Sequence, residues 1–357
     1  MSKHLNIPSL QENAIELLKK LIAIPSLSKQ ESETAKLIFD FLIESDVKAN
    51  QLLNNVWAKN KFFDPNKKTI LLNSHHDTVA PNKNYTLNPF EAIIENTRLF
   101  GLGSNDAGGC LVALLATFLF FYENENLKYN LIFAASAEEE ISGKNGIELL
   151  LPELGEIDFG IVGEPTKMQM AIAEKGLLVL DCTVKGKAGH AARQEGENAI
   201  YKALETIHWF KHFEFEKVSP LLGKVLMNVT MINAGIAHNM IPEVCNFTVD
   251  IRLNELYTHQ EVIEIIKQHI DGEIVPRSTR IKSSSINSNH PIVQSGFKLN
   301  LSSFGSPTTS DKALMNFPTL KIGPGDSARS HTADEYIYLN EIESGIELYI
   351  KLLENIL

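Results

Sequence analysis

The sequence predicts an α/β protein with a mostly parallel central sheet, interrupted by a smaller α+β domain of ferredoxin-like type. Three observations carry this. Apolar strand-like runs alternate with helical segments through the first half and again near the end. After Lys175 the order becomes βαββαβ, over about 110 residues, as in a small two-layer domain. The apolar runs of the first half end in histidines and carboxylates, and in parallel sheets such strand ends are where sites form.

The elements follow in order. "SLQENAIELLKKLIAI" begins with Ser9 as a helix start and continues with apolar residues at helical spacing. "SKQESETAKLIFDFLIES" is a second amphipathic helix. "TILLNSHHDTV", Thr69 to Val79, follows "DPNKK" and reads as a buried strand. "NDAGGCLVALLATFLFFYEN" reads as a loop entering a buried helix. "YNLIFAASAEEE" and "IDFGIVGEPT" are further apolar runs that end in carboxylates. Then come the strand "GLLVLDCTVKGKAGH", the helix "GENAIYKALETIHWFKHF", the strands "KVLMNVTMINAG" and "EVCNFTVDIRLNE", the helix "THQEVIEIIKQHIDG" and a last strand in "EIVPRSTRIKSSS". "SSSINSNHP" reads as the return linker, and "NEIESGIELYIKLLENIL" as a closing amphipathic helix. The expected division is 1–174 with 286–357 as one domain and 175–285 as the insertion.

Bulk properties narrow the classes. The 357 residues suffice for two domains, and 44% hydrophobic with 22% charged residues is an ordinary soluble composition. A net charge of −11 argues against a nucleic-acid surface and against anionic membranes. Cys110, Cys182 and Cys245 are widely spaced, which suggests neither a disulfide framework nor a cysteine metal site. The N-terminal stretch lacks a signal-peptide apolar region, and "CLVALLATFLFFY" is too short to span a bilayer. A cytoplasmic location is the expectation.

The candidate site gathers at strand ends. Side chains alternate along a strand, so His75 and Asp77 share one side and His76 faces the other. A ligating imidazole commonly gives its second N–H to a carboxylate, which makes His75 a metal-ligand candidate and Asp77 its supporter. Asp106 in "GLGSNDAGG", the glutamates of "SAEEE", Glu164 in "VGEPT" and His331 in "GPGDSARSHTADEY" complete the set. Two histidines with three or more carboxylates are the inventory of a two-metal hydrolytic site. Alternative readings are a phosphate-cradling glycine loop at "GLGSND", though it lacks the GxGxxG ending and a Walker lysine, and an acidic helix start at "AEEE".

Taken together, these motifs resemble the co-catalytic zinc amidohydrolase and metallopeptidase family, which includes aminoacylase-1, carboxypeptidase G, succinyl-diaminopimelate desuccinylase and bacterial tripeptidases. The likeness runs through nearly the whole chain. "SHHDTV", "GLGSNDAGG", "AEEEISG", "VGEPT", "GKAGHAARQEGENAI", "AHNMIPEVCNFTVDIR" and "GPGDSARSHTADEY" match its motifs in order. The resemblance implies a catalytic domain holding two Zn2+ ions (Co2+ or Mn2+ being possible substitutes) and an inserted lid and dimerisation domain. It implies that His75 and Glu164 bind one ion, Glu140 and His331 the other, and that Asp106 bridges. Asp77 would orient His75, and Glu139 would be the general base. His190 would reach a neighbouring subunit's site and stabilise the oxyanion, implying a homodimer through the inserted domains. Asn239 and Arg252 match positions that contact substrate.

Three departures stand out. Leu102 takes the place of a common arginine, Glu138 that of the usual aspartate, and three consecutive glutamates leave open a register with Glu138 and Glu139 instead. The sequence looks closest to the acetylornithine deacetylase branch. That implies hydrolysis of an N-acyl-L-amino acid, N-acetyl- or N-succinyl-ornithine or -citrulline, in arginine biosynthesis. Succinyl-diaminopimelate desuccinylase or a di- or tripeptidase are alternatives within the family. A non-catalytic binding protein on the same fold is the alternative outside it.

Overall fold

A computed structural model describes residues 6–193 and 195–357. The chain divides into two compact units. The first comprises residues up to Ile172, Ile286–Phe304 and Ser310–Leu357; the second comprises Ala173–Ser285 and Gly305–Thr309. These limits differ slightly from those read in the sequence. Ala173, Glu174 and 305–309 group with the second unit, where Lys175 N–H donates to the Ser306 carbonyl at 3.1 Å.

The large sheet has the strand order Ala49–Leu52, Asn55–Lys59, Asn130–Ser136, Thr69–His75, Phe159–Val162, Thr319–Lys321, Met170–Glu174, Ser284–Ser285, with Ser303–Ser306 also pairing to Met170–Glu174. Its centre is parallel, from Asn130–Ser136 through Thr69–His75 and Phe159–Val162 to Thr319–Lys321. The flanking pairs are antiparallel. The sheet is therefore mixed, which corrects the expectation of a mostly parallel one. For the first two strands the physical reason is connection length. Only Leu53 and Asn54 separate the first two strands, and a two-residue link reverses the chain, whereas a parallel pair needs a long crossover.

Thr69–His75 and Asn130–Ser136 are buried at every position, as strands covered on both faces must be. Ile70, Leu72, Leu131 and Phe133 pack on one side with the helices Ile7–Ile22, Gly109–Phe121 and Leu339–Glu354. Leu71, Ile132 and Ala134 pack on the other with the helix Ile147–Leu154. Gly109–Phe121 is apolar all round because it is enclosed: the stretch Ser104–Phe121 is 89% buried inside the protein. The first helix starts earlier than Ser9. Asn6 caps it by accepting the Ser9 N–H at 2.9 Å, and Pro8 in the first turn has no N–H to satisfy.

The second unit contains a four-stranded antiparallel sheet in the order Leu226–Ala234, Val244–Leu253, Gly176–Lys185, Glu273–Pro276. With the helices Ala199–His212 and His259–His269 it gives the βαββαβ succession. Gly176–Lys185 alternates between buried and part-exposed residues, so one face meets the helices. The expected last strand is short, Glu273–Pro276.

Candidate metal centre

His75 is the last residue of its strand, and its Nδ1 donates to the Asp77 carbonyl at 3.0 Å, with Asp77 Oδ1 at 3.4 Å. Asp77 is fully buried. It accepts from the Ser28 hydroxyl at 2.7 Å and from the backbone N–H groups of Glu139 at 3.0 Å and Glu140 at 3.2 Å. One carboxylate thus supports the histidine and pins the turn that carries two further acids. His76 looks elsewhere: Nε2 donates to the Asn54 carbonyl at 2.8 Å, and Nδ1 lies 3.0 Å from the Thr34 hydroxyl.

The free edge of His75 faces three carboxylates. Its Nε2 lies 3.3 Å from Asp106 Oδ1, 3.9 Å from Glu139 Oε2 and 3.9 Å from Glu164 Oε1. The other oxygen of Asp106 lies 3.7 Å from His331 Nε2, which is itself 3.0 and 3.1 Å from the two oxygens of Glu140. Asp106 therefore stands between the histidines, one oxygen toward each. Two donor groups result, His75–Asp106–Glu140 and His75–Glu139–Glu164, each with its atoms within 4.8 Å of one another. Glu138 is not among them. Its backbone is left-handed, at φ 54°, and its carboxylate takes the Asn145 amide at 2.9 Å. That chain reversal turns Glu138 away and leaves Glu139 and Glu140 at the cluster.

The electrostatics are those of crowded negative charge. Burial pushes Glu139 well above the carboxylate range; His75 opposes this, and Glu164, Asp311 and Glu140 add to it. Burial takes Glu164 to about 8, against the pull of Lys321. The Glu140 hydrogen bond raises His331 to about 9. Burial acts to lower His75, but Asp106, Asp77 and Glu139 outweigh it and hold its pKa well above the usual range. Imidazole nitrogens and carboxylate oxygens suit a divalent cation, and a carboxylate with its two oxygens aimed at separate histidines suits two ions. The donor chemistry fits a metal pair.

His190, Asn239 and Arg252 belong to the second unit. His190 is exposed on a short strand paired with Met240–Ile241, and its Nδ1 accepts the Ala192 N–H at 3.2 Å. Asn239 is exposed and its carbonyl accepts the Ala191 N–H at 3.0 Å. Arg252 holds a carboxylate in two-pronged fashion, that of Asp250 on the same strand, at 2.8 and 3.0 Å.

Several participants were not among the candidates read from the sequence. Asp311, pushed by burial to about 6, ties Asn73 (2.9 Å) to Ser136 (2.5 Å) at the ends of the two central strands. Glu335 and Asn105 brace the turn of Asp106. Their residue types are ordinary, and only the acidic tail of the His331 motif pointed toward Glu335.

An α/β domain with imidazoles and carboxylates converging at strand ends defines a metallohydrolase-like class of protein. A family model described as "Peptidase family M20/M25/M40" matches residues 71–355, and the chain belongs to this family of hydrolases. It is 27% identical to an acetylornithine deacetylase of Buchnera aphidicola subsp. Schizaphis graminum, covering 96% of this chain and 97% of that protein. It is 26% identical to a succinyl-diaminopimelate desuccinylase of Rickettsia bellii, covering 94% and 95%. A Bacillus subtilis structure described as a dinuclear metal-binding peptidase of the M20 family superposes with a TM-score of 0.75 at 16% identity, over 97% of this chain and 98% of that one.

Proposed function

We propose that the protein hydrolyses the amide bond of an N-acyl-L-amino acid, specifically N-acetyl- or N-succinyl-ornithine or -citrulline, in arginine biosynthesis. The observation that carries the reading is the placement of Asp106 between His75 and His331 with Glu139 alongside. His75 and Glu164 would hold one zinc ion, Glu140 and His331 the second, and Asp106 both; Co2+ or Mn2+ suit the same donors. Such a pair supplies Lewis acidity, which acidifies water toward neutral pH and polarises the amide carbonyl.

The chain's own groups do the rest. Glu139 accepts the proton of the attacking water and passes it to the leaving amine. Asp77 keeps the His75 tautomer with Nε2 free. His190 donates to the developing oxyanion from a neighbouring subunit, a contact worth about 3 kcal/mol in comparable sites. Asn239 and Arg252 contact substrate, Arg252 exchanging Asp250 for a substrate carboxylate. A homodimer through the second unit is supported by its edge strand, Leu226–Ala234, where Met231 (62%) and Ile232 (58%) are exposed beside an unpaired backbone edge. A cytoplasmic location goes with this reading.

Diaminopimelate as the amine is the second reading, favoured by the near-equal identity to the desuccinylase. A deacylation assay on zinc-loaded protein decides. The panel is N-acetyl- and N-succinyl-ornithine, the corresponding citrullines, succinyl-diaminopimelate and small peptides. Preference for one ornithine or citrulline derivative supports the proposal. Activity only on diaminopimelate or peptides discards the substrate but keeps the chemistry, and inactivity throughout with two ions bound favours a binding protein.

A further inference from the structure

We infer that Glu335 and Asn105 are positioning residues that hold the Asp106 turn and the His331 loop as one block; the inference rests on the two-metal reading above. Glu335 is 1% exposed. A buried carboxylate is costly unless it is hydrogen-bonded, and the partners here are main-chain groups. Its Oε1 accepts the N–H of Asn105 and of Asp106, both at 2.9 Å, and its own carbonyl accepts the Gly101 N–H at 3.0 Å. Glu335 thus grips the turn from Gly101 to Asp106 at both ends. What it fixes is the backbone from which the Asp106 carboxylate projects.

Asn105 continues the connection. It is fully buried. Its Oδ1 accepts the Asp326 N–H at 2.9 Å, and its Nδ2 donates to the Asp326 carbonyl at 3.1 Å and to the Ser330 hydroxyl at 3.4 Å. The loop approaches so closely that a Cβ on Gly325, at φ +87°, would lie 2.5 Å from Asn105 Oδ1. His331 follows directly after Ser330. Its side chain is 53% exposed and its backbone is left-handed, at φ 60°, so packing does little to aim it. The aim comes from the loop, and the loop is held by Asn105. Hydrogen-bonded supports of ligands act on metal affinity as well as on activity.

The test is a titration of metal-free, full-length protein with cobalt chloride, followed by calorimetry and by the visible spectrum of the bound ions. Glu335→Ala is expected to weaken the second cobalt binding about ten- to a hundredfold and to alter the spectrum of the doubly loaded protein. Glu335→Gln keeps an acceptor oxygen of the same reach and should recover most of the affinity. Asn105→Ala should weaken the second ion as well, with Glu335 untouched. A folded Glu335→Ala variant with wild-type affinities and spectrum overturns the inference, as does a Gln variant no better than Ala. If Glu335→Ala fails to fold, Asn105→Ala decides by the same two readouts. Wild-type protein that takes up no pair of cobalt ions removes the two-metal reading itself, and this inference with it.

Discussion

Glu139 and Glu140 are adjacent in the chain yet take different positions around His75 and His331. Their separation defines the first prediction. Glu139→Gln should keep two metal ions and lose turnover by about a hundredfold to ten-thousandfold, the usual contribution of a general base. Metal analysis alongside kcat checks it, and lost metal would reassign Glu139 as a ligand. His190→Ala should likewise retain both ions while turnover falls strongly; unchanged turnover at full loading would remove its oxyanion role. The titrating groups give a third expectation. His331 sits at about 9 and Glu164 at about 8, so near pH 7 each holds a proton that an incoming cation must displace. Apparent metal affinity should therefore rise from about pH 6 to about pH 9, with protons released on binding. Calorimetry in buffers of different ionisation enthalpy measures this, and a flat profile contradicts it. Most of these candidate residues were legible in short motifs at strand ends. The register within Glu138–Glu140 was not, because it depends on one left-handed residue and on Asn145.

The helices and strands behave as their periodicities indicate, and their stability can be tested separately from the site. Phe118 is fully buried on the helix Gly109–Phe121, packed against Tyr122 and Phe133. Phe118→Ala should cost about 3–5 kcal/mol in urea unfolding, the range for emptying a core aromatic site. The helix His259–His269 carries a capping box in which the Thr258 backbone N–H, first, and its hydroxyl hold Glu261 at about 2. A depressed carboxylate stabilises the fold above its unfolded pKa, about 4.3, and loses that contribution as pH falls through its folded value. Wild-type protein should then lose more stability than Glu261→Gln between about pH 5 and about pH 2.5. Equal losses in parallel unfolding series would show that the box does not act this way. The capping box lies in the plain succession Thr-x-x-Glu. The antiparallel flanks of the large sheet do not, since a strand's direction depends on its link and its neighbour as much as on its residues.

Assembly tests the second unit. If the edge Leu226–Ala234 joins two copies, Met231→Asp should convert a dimer of the 39.8 kDa chain to monomer in sedimentation. A wild-type monomer would instead place His190 in its own subunit's chemistry or in none. Local pattern alone was enough for the α/β class, the inserted βαββαβ segment and the candidate cluster of His75, Asp106, Glu164 and His331. Period-two and helical spacing, and short motifs, are properties of neighbouring residues. Tertiary structure alone decided that the sheet is mixed, that Glu138 turns aside, and that Glu335, Asn105 and Asp311 are bound into the site. Asn105 and Glu335 are 230 positions apart, and Asn73 and Asp311 are 238 apart. Whether such a polar residue is buried, and which partner satisfies it, is set by the segment that folding brings against it, and no local spacing encodes that.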